Sequence, residues 1–479
     1  MRNPSLPSYE KCDSPFERRA VHRCCVAALL PRATARRSRC ARPPFNSLRY
    51  DENYSFLTVP AQRTEFWDGV KYIPVAGGRA GFVSFGGEAR ERFEAYENEF
   101  FSTNPNADNA YFLQRYLFHA DYHPTGWLRA FGQLQSSLED GRPGGPRPTD
   151  RDSIDVHQIF VDVAVKSGEE GQLTLRAGRQ EMSYGSERLI GVREGPNNRR
   201  AFDAVRILYQ QSSVRVDAFF SSPVEVDKGP FDDQHLHDVR FWGGYATVPF
   251  PRLDGIKLDL YYLGLHNPRV SYSQGSGSEE RHTIGTRFFG KLGQWDFNHE
   301  AVYQFGRFGS SGVSAWSVAT DHGYTLERAW GKPRLGLKAA IASGDRNPHD
   351  DALQTLNPLF PRGTYFTEAS LLGPQNFFHV HPSLQLHPAA KWTFGTGVDF
   401  YWRESLNDGI YTPAAKVIYK GNPNFARFVG TDFSFLINWQ ATRHINVSAA
   451  YTHFFAGEFI RQNGGQDVNY SAIWASYKF

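Results

Sequence analysis

The stretch NYSAIWASYKF, residues 469–479, alternates apolar and polar side chains almost strictly. Ile473, Ala475, Tyr477 and Phe479 share one parity of this alternation. Successive side chains of a β-strand point to opposite faces, so a period of two predicts a strand with one apolar face. A final aromatic gains little in water, where the last residues of soluble domains usually fray. The pattern therefore indicates a strand whose apolar face contacts something other than water.

The same alternation recurs along the chain, for example in LTLRAGR at 173–179 and IKLDLYYL at 256–263. The high content of aromatics (15%) and glycine (44 residues), with only 2 Met, favours strands and tight turns. About eighteen segments are predicted, starting near residues 80, 111, 125, 153, 171, 202, 213, 238, 256, 281, 294, 312, 334, 375, 391, 425, 444 and 468. An even number of strands is what a closed antiparallel barrel with both chain ends on one side requires.

The lengths of the connections also alternate. The short connections lie at 123–126, 167–171, 211–213, 291–293, 387–391 and 442–444, and the long ones at 140–152, 182–201, 222–237, 267–280, 344–374, 405–424 and 456–467. Short periplasmic turns on one rim and long extracellular loops on the other are typical of outer-membrane barrels. Two connections break this order, since 307–312 is short and 323–333 is long.

The width of the predicted barrel decides where its apolar face points. About eighteen strands enclose a lumen too wide for side chains to fill, so the apolar face must contact lipid, and closure satisfies every backbone amide there. Tryptophans near the strand ends suit the aromatic girdles of such barrels, namely Trp127, Trp242, Trp295, Trp392, Trp402, Trp439 and Trp474. The alternative is a pair of large soluble β domains.

The N-terminal region differs from the rest of the chain. Residues 1–50 contain 11 Lys and Arg against 3 Asp and Glu, so the remainder of this +3 chain carries a net charge of −5. All four cysteines lie in the first 40 residues, which excludes a disulfide framework from the body. We predict a basic leader at 1–45, a periplasmic lead-in at 46–78 and the barrel at 79–479. The leader is a weak secretion signal, a disordered arm or a wrongly assigned start.

Two pairs of motifs resemble a known family. LRAGRQEMSYGSERLIG (175–191) precedes RRAFDAVRI (199–207), and ASGDRNPHDDALQTLNPLFPRGTYF (342–366) precedes GPQNFF (373–378). Together with RPPFNSLRYDENYSFL (42–57), they resemble the alginate export family of Gram-negative outer membranes. The resemblance implies a monomeric eighteen-stranded barrel through which an anionic polysaccharide such as alginate leaves the periplasm past a positively charged constriction. It also implies that Arg179 and Arg206 are lumen or rim residues.

Parity along the strands predicts which charged residues face the lumen. The basic residues are Arg90, Arg92, Arg115, Arg129, Arg176, Arg206, Arg215, Arg240, Arg287, Lys338 and Arg403. The acidic residues are Glu88, Glu94, Asp121, Asp162, Asp217, Asp259, Asp296, Glu300, Asp399 and Asp432. One interpretation is that these charges pair across neighbouring strands and stiffen the wall. The other is that a subset, mostly arginine, forms a ring that binds carboxylates through the planar guanidinium.

Motifs for a cofactor or for catalysis are not evident. DDQHLHD (232–238) and SGDRNPHDD (343–351) lack trusted zinc or calcium spacing, so we expect no cofactor. A loop calcium, with Asp345, Asp350 and Asp351 as candidates, is the alternative. The long loop predicted at 344–374, which begins within the second of these motifs, is also a candidate for a gate that folds into the lumen. No G-x-S-x-G, H-E-x-x-H, Walker or dinucleotide motif occurs, so the sequence does not predict an enzyme.

These observations predict a channel for passive export of an anionic polysaccharide across the outer membrane. The alternatives are a porin for uptake of small anionic or sugar nutrients and an adhesive barrel with a plugged lumen. The expected partners are outer-membrane lipid, periplasmic export proteins and the barrel assembly machinery, for which Tyr477 and Phe479 are the predicted signal. We expect a monomer and no nucleic-acid partner, since the basic charge lies only in the leader.

Overall fold

Eighteen antiparallel strands, β1 to β18, form the wall of a closed barrel. The structure, a computed structural model, describes residues 42, 44–75, 81–103, 106–168 and 170–479, so nearly all of the predicted leader lies outside the described residues. The strands are β1 Phe82–Glu97, β2 Asn109–His123, β3 Leu128–Asp140, β4 Asp152–Ser167, β5 Gly171–Gln180, β6 Phe202–Gln211, β7 Val214–Glu225, β8 Arg240–Pro249, β9 Ile256–Tyr272, β10 Gly275–Leu292, β11 Trp295–Phe308, β12 Ser311–Thr325, β13 Arg334–Ala342, β14 Phe377–Ala389, β15 Trp392–Trp402, β16 Phe428–Gln440, β17 Ile445–Ala456 and β18 Val468–Lys478.

The first and last strands close the wall. β1 pairs with β18 in a continuous register from Glu88↔Lys478 to Glu97↔Asn469, and every other strand pairs with its neighbours in sequence. This confirms the predicted antiparallel barrel and its seam. Seventeen strands begin within three residues of the predicted position, because alternation and turn residues define each strand locally.

The tenth strand begins six residues earlier than predicted, so the prediction of a long loop at 267–280 is wrong. β9 and β10 continue as a hairpin to Tyr272↔Gly275. The proline and glycines of this stretch suggest a loop, but a bulge between Asn267 and Val270 accommodates Pro268 within the ladder. Tyr272 is buried in an apolar cluster, which stabilises the extended hairpin.

The connections between the strands lie on two opposite rims of the barrel. The turn rim carries 124–127, 168–170, 212–213, 250–255, 293–294, 326–333, 390–391 and 441–444, and the loop rim carries 98–108, 141–151, 181–201, 226–239, 273–274, 309–310, 343–376, 403–427 and 457–467. The exceptions expected from the sequence both occur, as a short connection at 309–310 and a long one at 326–333. In outer-membrane barrels the rim with short turns faces the periplasm.

The two faces of the wall differ in polarity. On β4, Ile159, Val161 and Val163 are 37% to 60% exposed, while the alternating Phe160 and Asp162 are buried. The apolar residues therefore point away from the lumen, as a lipid-facing surface requires. Among the described residues, no helix is long and apolar enough to cross a membrane.

Helices and short strands lie outside the wall ladder. The helices are α1 Asp68–Lys71 and α2 Glu458–Gln462, with 3₁₀ turns at Arg49–Asp51, Ser55–Thr58, Pro60–Gln62 and Glu99–Ser102. Short strands at Ile73–Pro74, Gln234–His235 and Ala352–Leu353 pair with β1, β7 and β12, and Ile410–Tyr411 pairs with Val417–Tyr419. These pieces attach the lead-in and the loops to the wall.

Residues 44–75 reach into the turn rim. Tyr50 packs inside the barrel against Phe131 and Phe160, with ring centroids 6.1 and 5.4 Å away. The buried Arg49 donates hydrogen bonds to the carbonyl of Gly87 at 3.0 Å and to that of Phe479 at 2.8 Å. Gly87 and Phe479 also exchange two backbone hydrogen bonds at 3.1 Å, so Arg49 binds a carbonyl on each edge of the seam.

The ring of Phe479 packs against the lead-in. Its ring stacks on Trp67 with a centroid distance of 4.3 Å, and the Trp67 Nε1 donates to the Tyr477 hydroxyl at 2.6 Å. Ile473, of the same parity as Tyr477, remains 54% exposed on the outer face. The end of β18 therefore packs on the lead-in, and its role as an assembly signal stays a prediction.

The seam contacts of Arg49 predict that Arg49→Met lowers the unfolding temperature of the barrel in detergent. Hydrogen bonds from a charged donor contribute about 1.5–3 kcal/mol each. Arg49 also pairs with the buried Glu52 at 2.7 Å, so Arg49→Met/Glu52→Gln tests the seam without leaving an unpaired charge. Heat-dependent mobility on gels measures unfolding, and Lys257→Met, at an exposed position, is the control. Identical unfolding of the double variant and the wild type would contradict the role of Arg49.

Candidate functional site in the lumen

Two loops of the loop rim fold into the lumen and pair there. We call residues 181–201 inner loop A and residues 343–376 inner loop B. Phe360 N donates to Leu189 O at 2.9 Å, Gly191 N donates to Phe360 O at 2.9 Å, and Arg362 N donates to Glu187 O at 2.9 Å. The loop for which the sequence suggested an inward gate therefore does lie inside the barrel, joined to a second one.

An apolar contact fixes inner loop B far from where it leaves the wall. The loop connects β13 and β14, yet the Phe360 ring packs against Phe202 of β6 and Phe241 of β8, at 5.2 and 4.8 Å between centroids. Phe202 and Phe241 are fully buried. Inner loop B consequently reaches across the lumen and narrows it.

Charged wall residues hold inner loop A. Arg90 donates to the carbonyls of Glu194 at 2.8 Å and Pro196 at 3.1 Å. Arg115 pairs with Glu88 at 2.7 Å and also with Glu194. These buried guanidiniums are therefore occupied by the loop and the wall.

The base of inner loop A carries a buried carboxylate that stays charged. Burial alone raises the pKa of Glu181, but Arg199 and His157 lower it to about 2. Arg199 donates to Glu181 at 2.5 Å and to the carbonyl of Ser47 at 2.9 Å. The lead-in, inner loop A and the wall are thus joined through one charge network.

Inner loop B has polar attachments as well. Gln304 Nε2 donates to Asn357 O at 2.7 Å, and Arg281 donates to Thr355 O at 3.1 Å. Arg92 pairs with Glu368 at 3.4 Å on the opposite part of the loop. Strands β1, β10 and β11 therefore share the support of this loop.

A polar cavity of about 460 Å³ remains between the inner loops and strands β11 to β17. Its charged lining residues are Arg188, Arg334, Lys338 and Arg362 on the basic side and Glu187, Asp321 and Glu368 on the acidic side. His379, His381 and several hydroxyl and amide side chains complete the wall, and Tyr365 and Phe366 contribute rings from inner loop B. The cavity has the composition of a passage for a hydrated, charged solute.

The basic residues of this cavity differ in how far they are neutralised. Arg188 pairs with Glu300 at 2.8 Å, and Arg334 pairs with Asp296 at 2.5 Å. In the described part of the chain, Lys338 and Arg362 make no ion pair within 4.0 Å, and both are exposed. Arg362 instead donates to the Thr364 hydroxyl at 3.0 Å. Lys338 and Arg362 are therefore two cations available to an anionic solute.

Most of the sequence-predicted lumen arginines are paired with predicted acids. The pairs are Arg92 with Glu94, Arg115 with Glu88, Arg129 with Asp121, Arg176 with Asp162, Arg206 with Asp217, and Arg287 with Asp259. Asp162 and Arg176 lie directly opposite in the ladder, as do Asp259 and Arg287. Arg92 and Glu94 lie on the same strand, whereas the other five pairs match the interpretation in which charges pair across neighbouring strands and stiffen the wall.

Arg240, predicted to face the lumen, lies on the outer face, and Arg179, predicted as a lumen or rim residue, lies on the outer face beside the loop rim. Arg240 is exposed and directly precedes Phe241, which is buried on the inner side against Phe360. Arg179 pairs with Asp203 at 2.9 Å, and Asp203 directly follows the inward Phe202. Because β8 contains adjacent aromatic residues, the alternation of polarity does not show which of its side chains point inward. The family resemblance that suggested Arg179 does not show whether it points to the lumen or to the outer face.

Arg403 also differs from its predicted position. It follows the last residue of β15 and is fully buried. Its guanidinium donates to the carbonyls of Leu406 at 2.8 Å and Ala426 at 2.7 Å. It organises the connection 403–427 and does not line the lumen, because the strand ends one residue before the parity rule would apply to it.

Asp399 and Lys338 do lie on the inner side. Asp399 is buried; its Oδ1 shares a hydrogen bond with His379 Nδ1 at 3.1 Å, and its Oδ2 lies 2.6 Å from His381 Nδ1. Both histidines line the cavity, as does Lys338. Sequence reasoning missed Arg188 and Arg362, which the structure adds to this set. Both residues lie in motifs that carry the family resemblance, SERLIG and FPRGTYF. The parity rule could not identify them, because it applies only to strands and these motifs lie in loops.

The carboxylates of the weak metal candidates do not converge. Asp345 is buried and accepts from Asn347 N at 3.1 Å, while Asp350 accepts from Ala352 N at 2.9 Å. Burial, with a contribution from Asp408, raises the pKa of Asp345 to about 6. Within the described ranges, the acidic group compact enough for an ion contains none of the three candidates.

Solved structures with the same fold include porins of Pseudomonas. OccK5 (OpdH) of Pseudomonas aeruginosa has a TM-score of 0.53 at 12% identity, over 83% of this chain and 98% of that one. A BenF-like porin from Pseudomonas fluorescens Pf-5 has a TM-score of 0.55 at 9% identity, over 83% and 98%. OccK2 (OpdF) of Pseudomonas aeruginosa in complex with glucuronate has a TM-score of 0.53 at 11% identity, over 83% and 98%.

The sequence itself defines the family more closely than these structures do. No curated protein sequence matches the chain. Residues 82–473, nearly the whole wall with both inner loops, match the family model for alginate export. The chain therefore belongs to the alginate export family and forms an eighteen-stranded β-barrel channel of the outer membrane.

Proposed function

We propose that this channel exports an anionic polysaccharide, a polymer of uronate sugars such as alginate, by passive diffusion through the cavity beside the inner loops. The observation that carries the proposal is the presence of two cations, Lys338 and Arg362, that have no carboxylate partner among the described residues and line a polar passage about 460 Å³ in volume. Membership of the alginate export family supports the same class of substrate.

The placement of these cations suits a polymer with a carboxylate on each sugar. Lys338 extends from β13 of the wall, and Arg362 extends from inner loop B. A planar guanidinium binds a carboxylate through two hydrogen bonds, whereas an ammonium acts as a point charge. Successive carboxylates can exchange between the two while the chain advances.

Release of the polymer requires that no single site binds it tightly. Glu187, Asp321 and Glu368 line the same cavity and oppose a strongly attractive field. Tyr365 and Phe366, with ring centroids 4.8 Å apart, offer apolar surfaces to the faces of sugar rings. The lining therefore provides several weak contacts of alternating character.

Uptake of small uronates is a second candidate. It is favoured by the structural similarity to OccK2 (OpdF), which was solved with glucuronate, a single uronate sugar. The same two cations would bind a monomer or a polymer, so the residues do not define the direction of flow. The number of sugars that occupy the passage at once separates the two functions.

Blockade of single-channel current in planar bilayers tests the proposed export. Polyuronate is expected to block the wild type at concentrations at which glucuronate and neutral dextran do not. Lys338→Glu/Arg362→Glu should raise the half-blocking concentration of polyuronate about tenfold or more, a loss of ~1.4 kcal/mol or more. Lys416→Glu/Lys420→Glu, at two exposed positions in the connection 403–427, is the charge-matched control, and polyuronate should block it like the wild type.

Other outcomes of the same recording contradict export. Equal blockade by glucuronate and polyuronate, at equal concentrations of carboxylate, would favour uptake of small solutes. Absence of current, even after removal of inner loop B, would indicate an adhesive barrel with a plugged lumen. Unchanged blockade in the Lys338→Glu/Arg362→Glu variant would remove the cavity from the proposal.

The Phe360 contact predicts that inner loop B limits conductance. Phe360→Ala removes the half-buried ring that packs on Phe202 and Phe241, so the loss of stability should be smaller than the about 3–5 kcal/mol of a fully buried phenylalanine. Loss of this contact should release the loop from β6 and β8 and raise single-channel conductance. Phe231→Ala, at an exposed position, is the control. Equal conductance of Phe360→Ala and the wild type would show that the loop does not restrict the passage.

A further inference from the structure

Three carboxylates converge on the loop rim, away from the lumen cavity. Asp152 and Asp155 lie at the start of β4, and Asp233 lies in the connection 226–239 between β7 and β8. One carboxylate oxygen of each lies within 4.8 Å of the others. Two oxygens bound at about 2.4 Å on opposite sides of one calcium ion are separated by ~4.8 Å, so the spacing suits a shared ion.

A β-bulge brings the two acids of β4 together. Gln135 of β3 pairs with Asp155, and Ser137 pairs with Asp152. Gln135 and Ser137 are two residues apart and share one face of the sheet, whereas Asp152 and Asp155 are three apart. The extra residue in β4 therefore turns Asp152 to the same side as Asp155.

Gln135 provides an independent sign of a missing ligand. Its side chain is 2% exposed, and its Oε1 has no hydrogen-bond partner among the described residues. Gln135 faces Asp155 across the ladder, and its Nε2 donates to the Asn198 Oδ1 at 3.3 Å, so the Oε1 is the atom of this amide that lacks a described partner. Asp152 is 1% exposed, and its Oδ1 also lacks a partner in the described chain. Buried oxygens without partners are costly unless they coordinate an ion or water.

The local charge is not balanced by basic residues. Over the described ranges, the recorded ion pair of these three acids is Arg179 with Asp155, at 4.0 Å. Asp152 and Asp155 are buried and Asp233 lies beside them, so the three carboxylates repel one another when all are ionised. A divalent cation would relieve this repulsion.

The backbone already holds the connection against β4. Phe231 N donates to Ile154 O at 2.9 Å, and Asp233 N donates to the Asp155 carboxylate at 3.0 Å. Asp233 in turn accepts from Asp227 N at 2.8 Å. The carboxylates are therefore arranged before an ion arrives, which lowers the entropic cost of binding.

We propose that Asp152, Asp155 and Asp233, with the Gln135 amide oxygen, bind one calcium ion that clamps the connection 226–239 to β4. An all-oxygen set of carboxylates and an amide suits a hard cation, and irregular geometry favours calcium over magnesium. The site is separate from the export cavity, so it stands or fails independently of the proposed function.

Calorimetric titration of the full chain in detergent, stripped with EGTA and desalted, tests the site with calcium chloride as the probe. The wild type is expected to bind one calcium with a Kd on the order of 10⁻⁴–10⁻³ M, the range of extracellular calcium modules. Asp152→Asn and Asp233→Asn should each weaken binding about tenfold or more. Asp238→Asn, whose side chain is 71% exposed in the same connection, is the matched control and should bind like the wild type.

Unfolding temperature distinguishes a metal ligand from a merely structural residue. Calcium should raise the unfolding temperature of the wild type and of Asp238→Asn but not that of Asp233→Asn. Without calcium, Asp233→Asn should be at least as stable as the wild type, because a repelling charge is removed while Oδ1 is kept. Absence of heat and of any shift up to about 10 mM calcium, well above the expected Kd, would overturn the proposal. Equal binding of magnesium would overturn the assignment to calcium.

Discussion

Closure of the sheet is the constraint on which the rest of this structure depends. In hydrocarbon an unpaired backbone amide or carbonyl has no water to bind, so only a wall without a free edge is stable. The pairing of β1 with β18 removes that edge. Arg49 reinforces the seam from inside through the carbonyls of Gly87 and Phe479, which makes the lead-in a part of the wall's closure.

A wall of eighteen strands creates the next requirement, since its lumen is too wide to select a solute. Inner loops A and B reduce that width by pairing with each other and by anchoring Phe360 on the far wall. Most wall arginines are committed to acids or to loop carbonyls, as Arg90 and Arg176 illustrate. In the proposed function, selectivity depends on Lys338 and Arg362, which make no ion pair within 4.0 Å in the described part of the chain.

The wall could be predicted from the sequence because alternation and turn residues act locally, and seventeen strands begin close to their predicted positions. The side chains that face the lumen were harder to predict. In β8, Phe241 and Trp242 are adjacent aromatics, so parity alone does not show which of them points inward. The direction of the neighbouring Arg240 is undefined for the same reason. The candidate site was largely hidden. Arg188 and Arg362 lie in loops without periodicity, and their approach to Lys338 depends on a tertiary contact made by Phe360.

Ion selectivity of single channels tests the central claim most directly, because it reports the charge of the narrowest part of the lumen. The reversal potential of the wild type in a potassium chloride gradient would be measured beside that of Lys338→Glu/Arg362→Glu. The account predicts an anion-selective wild type and a clear shift toward cations in the variant. A cation-selective wild type, or a variant with the same reversal potential, would contradict it.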